Sequence, residues 1–221
     1  MFKTKEMFDL SHTAASEFLA GFEYPYEALP HIKQYVKDLI CTLSEDEFYS
    51  PADGVWISKE AKVAPTACIV GPTVIYAGAE IRHCAYIRGS VIVGKDCVVG
   101  NSTELKNCIL FDKTAVPHFN YIGDSILGYC SHLGAGAVSS NVKSDKTNVV
   151  IKDGDERIET GLRKFGAMVG DFVEVGCNSV LNPGTVIGRN STVYPRSSVR
   201  GVIPENSIYK SGNNVVIKKI N

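Results

Sequence analysis

The sequence lacks three features that would assign it to large classes of proteins. It carries 23 basic and 24 acidic residues, so it lacks the basic excess expected of a nucleic-acid-binding protein. It contains no run of about 18 apolar residues, the length that spans a membrane as a helix. Residues 1–6 do not lead into an apolar stretch, so we expect no signal peptide.

The sequence also lacks any close cysteine pair. Its seven cysteines form no Cys-x-x-Cys motif, and their number is odd. Scattered, unpaired cysteines argue against a disulfide framework and favour a reducing compartment. We therefore expect a cytoplasmic protein.

A strict six-residue period runs through much of the chain. Between Ile57 and Leu105 every sixth residue is a branched aliphatic, and the period returns between Val169 and Val199. A period of six fits neither an amphipathic helix nor an alternating strand. It is typical of a hexapeptide β-helix, in which three units form a triangular coil of about 18 residues with the aliphatics stacked inside. The sequence therefore predicts an all-β solenoid with these side chains buried: Ile57, Ile75, Val93, Val175 and Val193.

Residues 1–54 do not share this period. Apolar residues at 16–22 and 27–48 recur at intervals of three and four, which is typical of amphipathic helices. Such helices can protect the strand edges that the first coil would otherwise expose. We therefore predict a helical N-terminal cap over the open end of the coil.

The coil is predicted over residues 55–206, with one interruption. Between about 141 and 165 the period stops and the sequence becomes charged, which predicts an inserted loop or hairpin. Insertions of this kind lie on one face of a solenoid and often bind ligands. Residues 207–221 form a C-terminal tail, in which Val215 and Ile217 alternate as in a terminal strand.

Three motifs with matching spacing indicate a family. They are Pro117-His118-Phe119-Asn120-Tyr121-Ile122-Gly123-Asp124, the triplet Gly134-Ala135-Gly136, and the pattern Thr-Gly-x-Arg-Lys-x-Gly-Ala-x-x-Gly at 160–170. With them, roughly residues 55–210 resemble the acetyltransferase domain of bacterial N-acetylglucosamine-1-phosphate uridyltransferase. The chain resembles more closely the C-terminal domain of archaeal sugar-1-phosphate nucleotidylyltransferases with acetyltransferase activity.

The resemblance implies a left-handed parallel β-helix that acts as an N-acetyltransferase. It implies acetyl-CoA as the donor and the amine of an amino-sugar 1-phosphate as the acceptor. It also implies a homotrimer with its sites between neighbouring coils. No Gly-rich nucleotide loop opens the chain, so we do not expect the uridyltransferase activity.

The resemblance also implies three catalytic residues. His118 matches the general base that takes a proton from the amine. Imidazole suits this role because its ordinary pKa of about 6.5 leaves it mostly neutral at pH 7. Ala135 matches a residue whose backbone N–H faces the thioester carbonyl, as in an oxyanion hole. Asn141 matches a residue near the acetyl group.

Two cations are candidates for binding the phosphate. Arg88 and Lys106 are eighteen residues apart, which places one above the other in a coil of about 18 residues. Two stacked cations outside an aliphatic core can hold a phosphate, and the resemblance gives the matching positions that role. Tyr121 matches a sugar-contacting tyrosine. The alternative is two solvated surface cations.

Other positions depart from the family. Cys177 replaces a coenzyme-contacting serine, Pro195 replaces an alanine beside the coenzyme, and His132 replaces a sugar-contacting asparagine. We keep all three as candidate ligand contacts. Lys146 lies in the charged insertion and could reach a phosphate of the sugar or of coenzyme A.

A metal site is not predicted. Some hexapeptide coils bind zinc through three histidines, and His83 and His118 are 35 residues apart. However, Gly123 occupies the position of the next ligand in that pattern, and His132 lies outside it. Two other functions stay open: a non-catalytic coil for trimerisation or regulation that partners a sugar nucleotidylyltransferase, and an acyltransferase acting on a nucleotide-linked amino sugar.

Overall fold

The computed structural model describes residues 1–211 and 214–218. Residues 212–213 and 219–221 of the predicted tail lie outside the described residues. The helices are all N-terminal: α1 (Thr4–Met7), α2 (Ser16–Ala20) and α3 (Ile32–Ile40), with 3₁₀ helices at Leu10–His12 and Pro25–His31. None of the helices in the described ranges is long and apolar enough to cross a membrane.

From residue 48 onward the described chain consists of short strands. In chain order these are β1 (Phe48–Ala52), β2 (Val55–Ser58), β3 (Lys62–Val63), β4 (Cys68–Ile69), β5 (Thr73–Ile75), β6 (Glu80–Ile81), β7 (Tyr86–Ile87), β8 (Val91–Val93), β9 (Val98–Asn101), β10 (Glu104–Leu110), β11 (Ala115–His118), β12 (Tyr121–Leu127), β13 (His132–Leu133), β14 (Val138–Ser139), β15 (Val150–Asp153), β16 (Glu156–Glu159), β17 (Ala167–Val169), β18 (Glu174–Val175), β19 (Val180–Leu181), β20 (Thr185–Ile187), β21 (Thr192–Val193), β22 (Ser198–Val199), β23 (Val202–Ile203), β24 (Ser207–Tyr209) and β25 (Val215–Ile217).

Most of these strands stack in parallel as three faces of a coil. The first face contains β4, β7, β14, β19 and β22, and the second contains β2, β5, β8, β17, β20 and β23. The third contains β3, β6, β9, β11, β13, β18, β21 and β24. Strands β10 and β12 belong to both the first and second faces because each bends around the corner between them. The predicted solenoid of hexapeptide repeats is confirmed.

The strand register explains where the six-residue period slips. Tyr86 pairs with Glu104, an offset of eighteen, whereas Glu104 pairs with Tyr121, an offset of seventeen. Between Ile126 and Met168 the offset grows to 42, because the insertion leaves the coil there. The insertion contains an antiparallel hairpin of β15 and β16. At the other end of the chain, β25 pairs antiparallel with β24, as the alternation in the tail predicts.

The hexad aliphatics point inward and form a continuous core. The five residues predicted to be buried are each no more than 2% exposed. Burying one such side chain contributes roughly 1.5–3 kcal/mol. The column therefore holds together strands that are individually only two to four residues long over most of the coil.

The outer side of the second face is also apolar, which the six-residue period does not predict. One outward side chain per coil is fully buried there: Val74, Ile92, Ile109, Ile126, Met168 and Val186. This outward column packs against apolar residues of the N-terminal segment, residues 1–47, in a second cluster. The segment thus removes from water an apolar surface that the coil would otherwise expose.

The N-terminal segment therefore covers a side of the coil. α3 contacts β5, β8 and β10 in turn, so it lies across successive coils. Helices occur in both predicted segments, but the second segment is helical only as far as Ile40, and the expected placement over the open end is corrected. The physical reason is the outward apolar column, since a sheet that is apolar on both sides needs a second layer to cover it.

A buried carboxylate also fixes the N-terminal segment to the coil. Asp171 is fully buried and accepts hydrogen bonds from the backbone N–H groups of Asp9, at 2.7 Å, and Tyr129, at 2.9 Å. The Arg189 guanidinium lies 2.9 Å from the same carboxylate. Burial raises the pKa of the Asp171 carboxyl, and these donors offset part of the rise. The segment is thus held by polar contacts as well as by apolar burial.

Candidate active site

One edge of the coil, between the third and first faces, carries four of the predicted site residues. His118, Ala135, Cys177 and Pro195 occupy the same position in successive coils. The N–H groups of the residues that follow Ala135, Cys177 and Pro195 donate to the carbonyls of His118, Ala135 and Cys177, at 3.0, 2.8 and 2.9 Å respectively. We call this stack the His118 edge. These four residues span 78 positions of sequence. The structure brings them together because each occupies the same position in its own repeat.

The His118 side chain is exposed at the end of β11. Within residues 1–211 and 214–218 its imidazole has no hydrogen-bond partner, so both ring nitrogens are available to a ligand. The following residue, Phe119, has a φ of 53° and is 62% exposed. The left-handed conformation turns the chain around the corner immediately after the imidazole.

Asn120 connects His118 to the next coil and was missed by the sequence analysis. Its side-chain oxygen accepts the backbone N–H of His118 at 3.1 Å. Its amide nitrogen donates to the carbonyls of Gly134, at 2.9 Å, and Ala137, at 3.0 Å. The side chain is buried, so these bonds are shielded from water. Its only sequence signal is a polar residue two positions after the histidine, in the segment where the period slips.

Ala135 presents its backbone to the surface of the His118 edge. The N–H groups on either side of it are engaged, Gly134 with Val175 at 2.7 Å and Gly136 with His118 at 3.0 Å. In the part of the chain that the structure describes, the Ala135 N–H itself makes no hydrogen bond. A free, partly exposed N–H is the feature that an oxyanion hole needs.

A groove of about 240 Å³ runs along the third face beside this edge. Cys177, Pro195 and His132 all line it, together with Glu174 and Tyr194. His132 Nδ1 lies 2.8 Å from a Glu174 carboxylate oxygen in the next coil. Three predicted contact residues thus share one concave surface, which the sequence could not show because they belong to three successive coils.

The first face carries the two predicted phosphate-binding cations. Arg88 and Lys106 lie side by side, since the Arg88 N–H donates to the Leu105 carbonyl at 2.8 Å. Each is held by a carboxylate: Arg88 Nη1 is 2.7 Å from Glu104 Oε1, and Lys106 Nζ is 3.0 Å from Asp124 Oδ1. The predicted stacking is therefore present, and both cations are already paired.

Asp124 lies at the corner between the first and second faces and is 4% exposed. Besides Lys106, it accepts hydrogen bonds from the side-chain amides of Asn107, at 2.9 Å, and Asn141. The Asn141 amide also donates to the Tyr121 hydroxyl at 3.2 Å. Three predicted site residues are thus connected through a carboxylate that the sequence analysis named only as part of a motif.

Tyr121 is half-buried beside these charges. Burial raises the pKa of its phenol, and the negative charges of Asp124 and Glu104 raise it further. The hydrogen bond from Asn141 and the positive charge of Arg88 offset part of this rise. The hydroxyl therefore stays protonated across the neutral range and can donate a hydrogen bond.

Lys146 is not part of this arrangement. It lies exposed at a turn of the insertion with a φ of 60°, and no described contact joins it to another predicted site residue. Among the described residues there is also no group of three or more His, Cys, Asp or Glu side chains that could hold a metal ion.

The chain is similar to known proteins over part of its length. The family model described as "GMPPB C-terminal domain" matches residues 69–156. The "Bifunctional protein GlmU" of Methanococcus vannielii is 34% identical over 143 residues, covering 65% of this chain and 34% of that protein. The "Bifunctional sugar-1-phosphate nucleotidylyltransferase/acetyltransferase" of Sulfurisphaera tokodaii is 31% identical over 126 residues, covering 57% of this chain and 30% of that protein. The chain is similar to part of these bifunctional proteins.

The resemblance predicted from the sequence is thereby confirmed, and the chain spans about a third of the length of these curated relatives. Among solved structures, the chain is similar to the acetyltransferase domain of PglB from Neisseria gonorrhoeae in complex with acetyl coenzyme A. The identity is 18% and the TM-score 0.28, with 74% of this chain and 57% of that chain covered.

Proposed function

We propose that the protein is an N-acetyltransferase that transfers an acetyl group from acetyl-CoA to the amine of an amino-sugar 1-phosphate. The observation that carries the proposal is the His118 edge, where the His118 imidazole stands one coil from the Ala135 N–H and neither has a hydrogen-bond partner among the described residues. The named acetyltransferase activity of the Sulfurisphaera relative supports it.

In the proposed reaction, His118 takes a proton from the neutral sugar amine as the amine nitrogen attacks the thioester carbonyl. The new N–C bond forms, and the oxyanion accepts a hydrogen bond from the Ala135 N–H. The C–S bond then breaks, and the proton passes from His118 to the coenzyme A thiolate. General acid–base catalysis of this kind contributes about 10²–10⁴-fold.

Asn141 and Tyr121 orient the acceptor from the first face in this proposal, with Asn141 nearest the acetyl group. Acetyl-CoA occupies the groove beside the His118 edge, in contact with Cys177, Pro195 and His132. This groove lies on the other side of the edge from Tyr121, so donor and acceptor approach His118 from opposite sides.

The sugar phosphate binds to Arg88 and Lys106. Each cation has a carboxylate partner, so a phosphate competes most directly with Glu104, the more exposed of the two carboxylates. We propose the homotrimer from the family resemblance, and the cytoplasmic location from the odd number and scattered spacing of the cysteines.

The experiment that tests the activity incubates the chain with acetyl-CoA and a panel of amino sugars, free, 1-phosphorylated and nucleotide-linked. Product is measured as the mass of the acetylated sugar, because four exposed cysteines would react with thiol reagents. We expect turnover with an amino-sugar 1-phosphate and a loss of about 10²–10⁴-fold in kcat for His118→Ala. His31→Ala, which removes an exposed imidazole of the N-terminal segment, is the matched control and should keep its rate.

A His118→Ala variant that keeps more than about a tenth of the wild-type rate would contradict the general-base role. Activity confined to the nucleotide-linked sugars would replace the proposed acceptor with that class.

One observation favours a second candidate, a non-catalytic coil that partners a sugar nucleotidylyltransferase. Both phosphate-binding cations are engaged by carboxylates, as they would be in a purely structural ion-pair ladder. Absence of acetylation across the whole panel, with acetyl-CoA binding also absent, would support this candidate.

A further inference from the structure

The buried side chain of Asp124 is surrounded by hydrogen-bond donors that suit a carboxylate. Each carboxylate oxygen accepts two donors: Lys106 and Asn107 reach Oδ1, and Lys106 and Asn141 reach Oδ2. A carboxylate taken out of water is tolerated when it is paired with a cation and its lone pairs are filled. The arrangement therefore fits the ionised form, which accepts hydrogen bonds and donates none.

An Asp124 carboxylate that only accepts hydrogen bonds determines the orientation of the Asn141 side-chain amide. Because ionised Asp124 can only accept, Asn141 must turn its NH₂ group towards it. The same NH₂ group donates to the Tyr121 hydroxyl. The carbonyl oxygen of the Asn141 side chain then faces away from Asp124, and it has no partner among the described residues.

The Tyr121 hydroxyl is fixed in the same way. Its oxygen accepts a hydrogen bond from Asn141 at 3.2 Å, so its own O–H is left to donate. No acceptor for that O–H occurs in the part of the chain that the structure describes. The network thus leaves one acceptor, the Asn141 side-chain oxygen, and one donor, the Tyr121 O–H, unused on the first face.

We propose that Asp124 is a positioning residue. Its charge orients the Asn141 amide and the Tyr121 hydroxyl, so that Asn141 accepts a hydrogen bond from the sugar and Tyr121 donates one to it. The ligand it selects carries an N–H or O–H donor next to an oxygen acceptor, as the amine and neighbouring hydroxyl of an amino sugar do. The inference rests on the proposed function and adds to it the hydrogen-bond pattern of the acceptor site. Asp124 acts through its neighbours and does not itself touch the reacting atoms.

The test uses Asp124→Asn, which keeps the side-chain size but offers both a donor and an acceptor to Asn141. We expect the KM for the acceptor to rise about three- to tenfold, the range for losing one hydrogen bond between neutral groups. The KM for acetyl-CoA should change less than twofold. Asp145→Asn removes an exposed carboxylate 3.3 Å from Lys143 and is the matched control, with no change expected in either KM.

A second readout does not depend on activity. The charge of Asp124 helps to raise the pKa of Tyr121, together with burial and Glu104 and against Arg88. The phenol titration of Tyr121, isolated by subtracting the spectrum of Tyr121→Phe, should therefore move to lower pH in Asp124→Asn. If that variant does not fold, the double variant Lys106→Met and Asp124→Asn removes both charges of the pair and allows the same titration.

Equal increases in both KM values, or an unchanged Tyr121 titration in a folded variant, would overturn the positioning role. A wild-type chain that acetylates no sugar would contradict the proposed function instead. In that case a downward shift of the Tyr121 titration would still support the network that Asp124 organises.

Discussion

The Tyr121 ring lies over Gly123, two residues further along the same strand. A Cβ atom placed on Gly123 would be 2.5 Å from the Tyr121 hydroxyl oxygen and 2.8 Å from the ring carbon that bears it. The absent side chain therefore makes the space through which the hydroxyl reaches Asn141 in the next coil. Gly123 also pairs with Lys106, so this space opens in the middle of the candidate site.

Gly123→Ala should displace the Tyr121 ring. Contacts this short cannot be accommodated without movement, and overpacking of this kind costs about 1–3 kcal/mol. We expect a lower midpoint of thermal unfolding and a higher KM for the acceptor. In the double variant Gly123→Ala and Tyr121→Ala the ring is absent, so the added methyl should cost less, because only the Asn141 amide nitrogen, 2.9 Å from the new Cβ, still has to move. Strictly additive losses would show that no steric conflict exists.

Asn120→Ala should loosen the His118 edge. The substitution leaves the His118 N–H and the buried Ala137 carbonyl without their partner, whereas the Gly134 carbonyl keeps its bond from the Ala137 N–H. Unpaired buried groups cost about 1–3 kcal/mol each, so we expect a loss of about 2–4 kcal/mol in the free energy of unfolding, measured in urea. Asn101→Ala, which removes a single hydrogen bond to the His83 carbonyl, is the matched control. A loss no larger than that of the control would contradict the connecting role of Asn120.

A single charged substitution tests the apolar contact between the second face of the coil and the N-terminal segment. Ile126→Asp places a carboxylate in the contact between the coil and the N-terminal segment, where nothing described could pair with it. We expect a loss of more than about 3 kcal/mol in the free energy of unfolding. Val180→Asp makes the same change on the outside of the first face, where the side chain is only partly buried, and should cost much less. Similar losses for the two would mean that the N-terminal segment leaves the coil surface.

Tyr121 should make the stability sensitive to alkaline pH. Its pKa is raised in the folded protein, so its contribution is complete below the ordinary tyrosine pKa of about 10 and is lost as the pH rises through the folded value. The stability difference between wild type and Tyr121→Phe should therefore shift in favour of the variant above about pH 10. Urea unfolding of both proteins between pH 8 and pH 11 measures this difference in stability. A difference that stays constant over this range would contradict the raised pKa.

Much of the fold and part of the site could be read from the sequence. A six-residue period fits only one regular backbone, so it predicts the coil, its inward residues and its interruption. The same repetition predicts that Arg88 and Lys106 stack, because residues one full coil apart share a face. His118 and Ala135 were found by their motifs, and the structure gives both the same place in neighbouring coils.

Other features depend on contacts between coils that no local pattern specifies. The partners of Asp124 come from positions 106, 107 and 141, and the register slip from eighteen to seventeen residues decides that they meet. Glu174 lies next to His132 in the groove beside Cys177 because the insertion leaves the coil and returns between these two residues. The sequence by itself determined the repeating backbone and its core, since each repeat buries its own aliphatics. Only the tertiary structure decided which outer face the N-terminal segment covers and which polar groups pair, since both depend on surfaces that exist only once the coils have stacked.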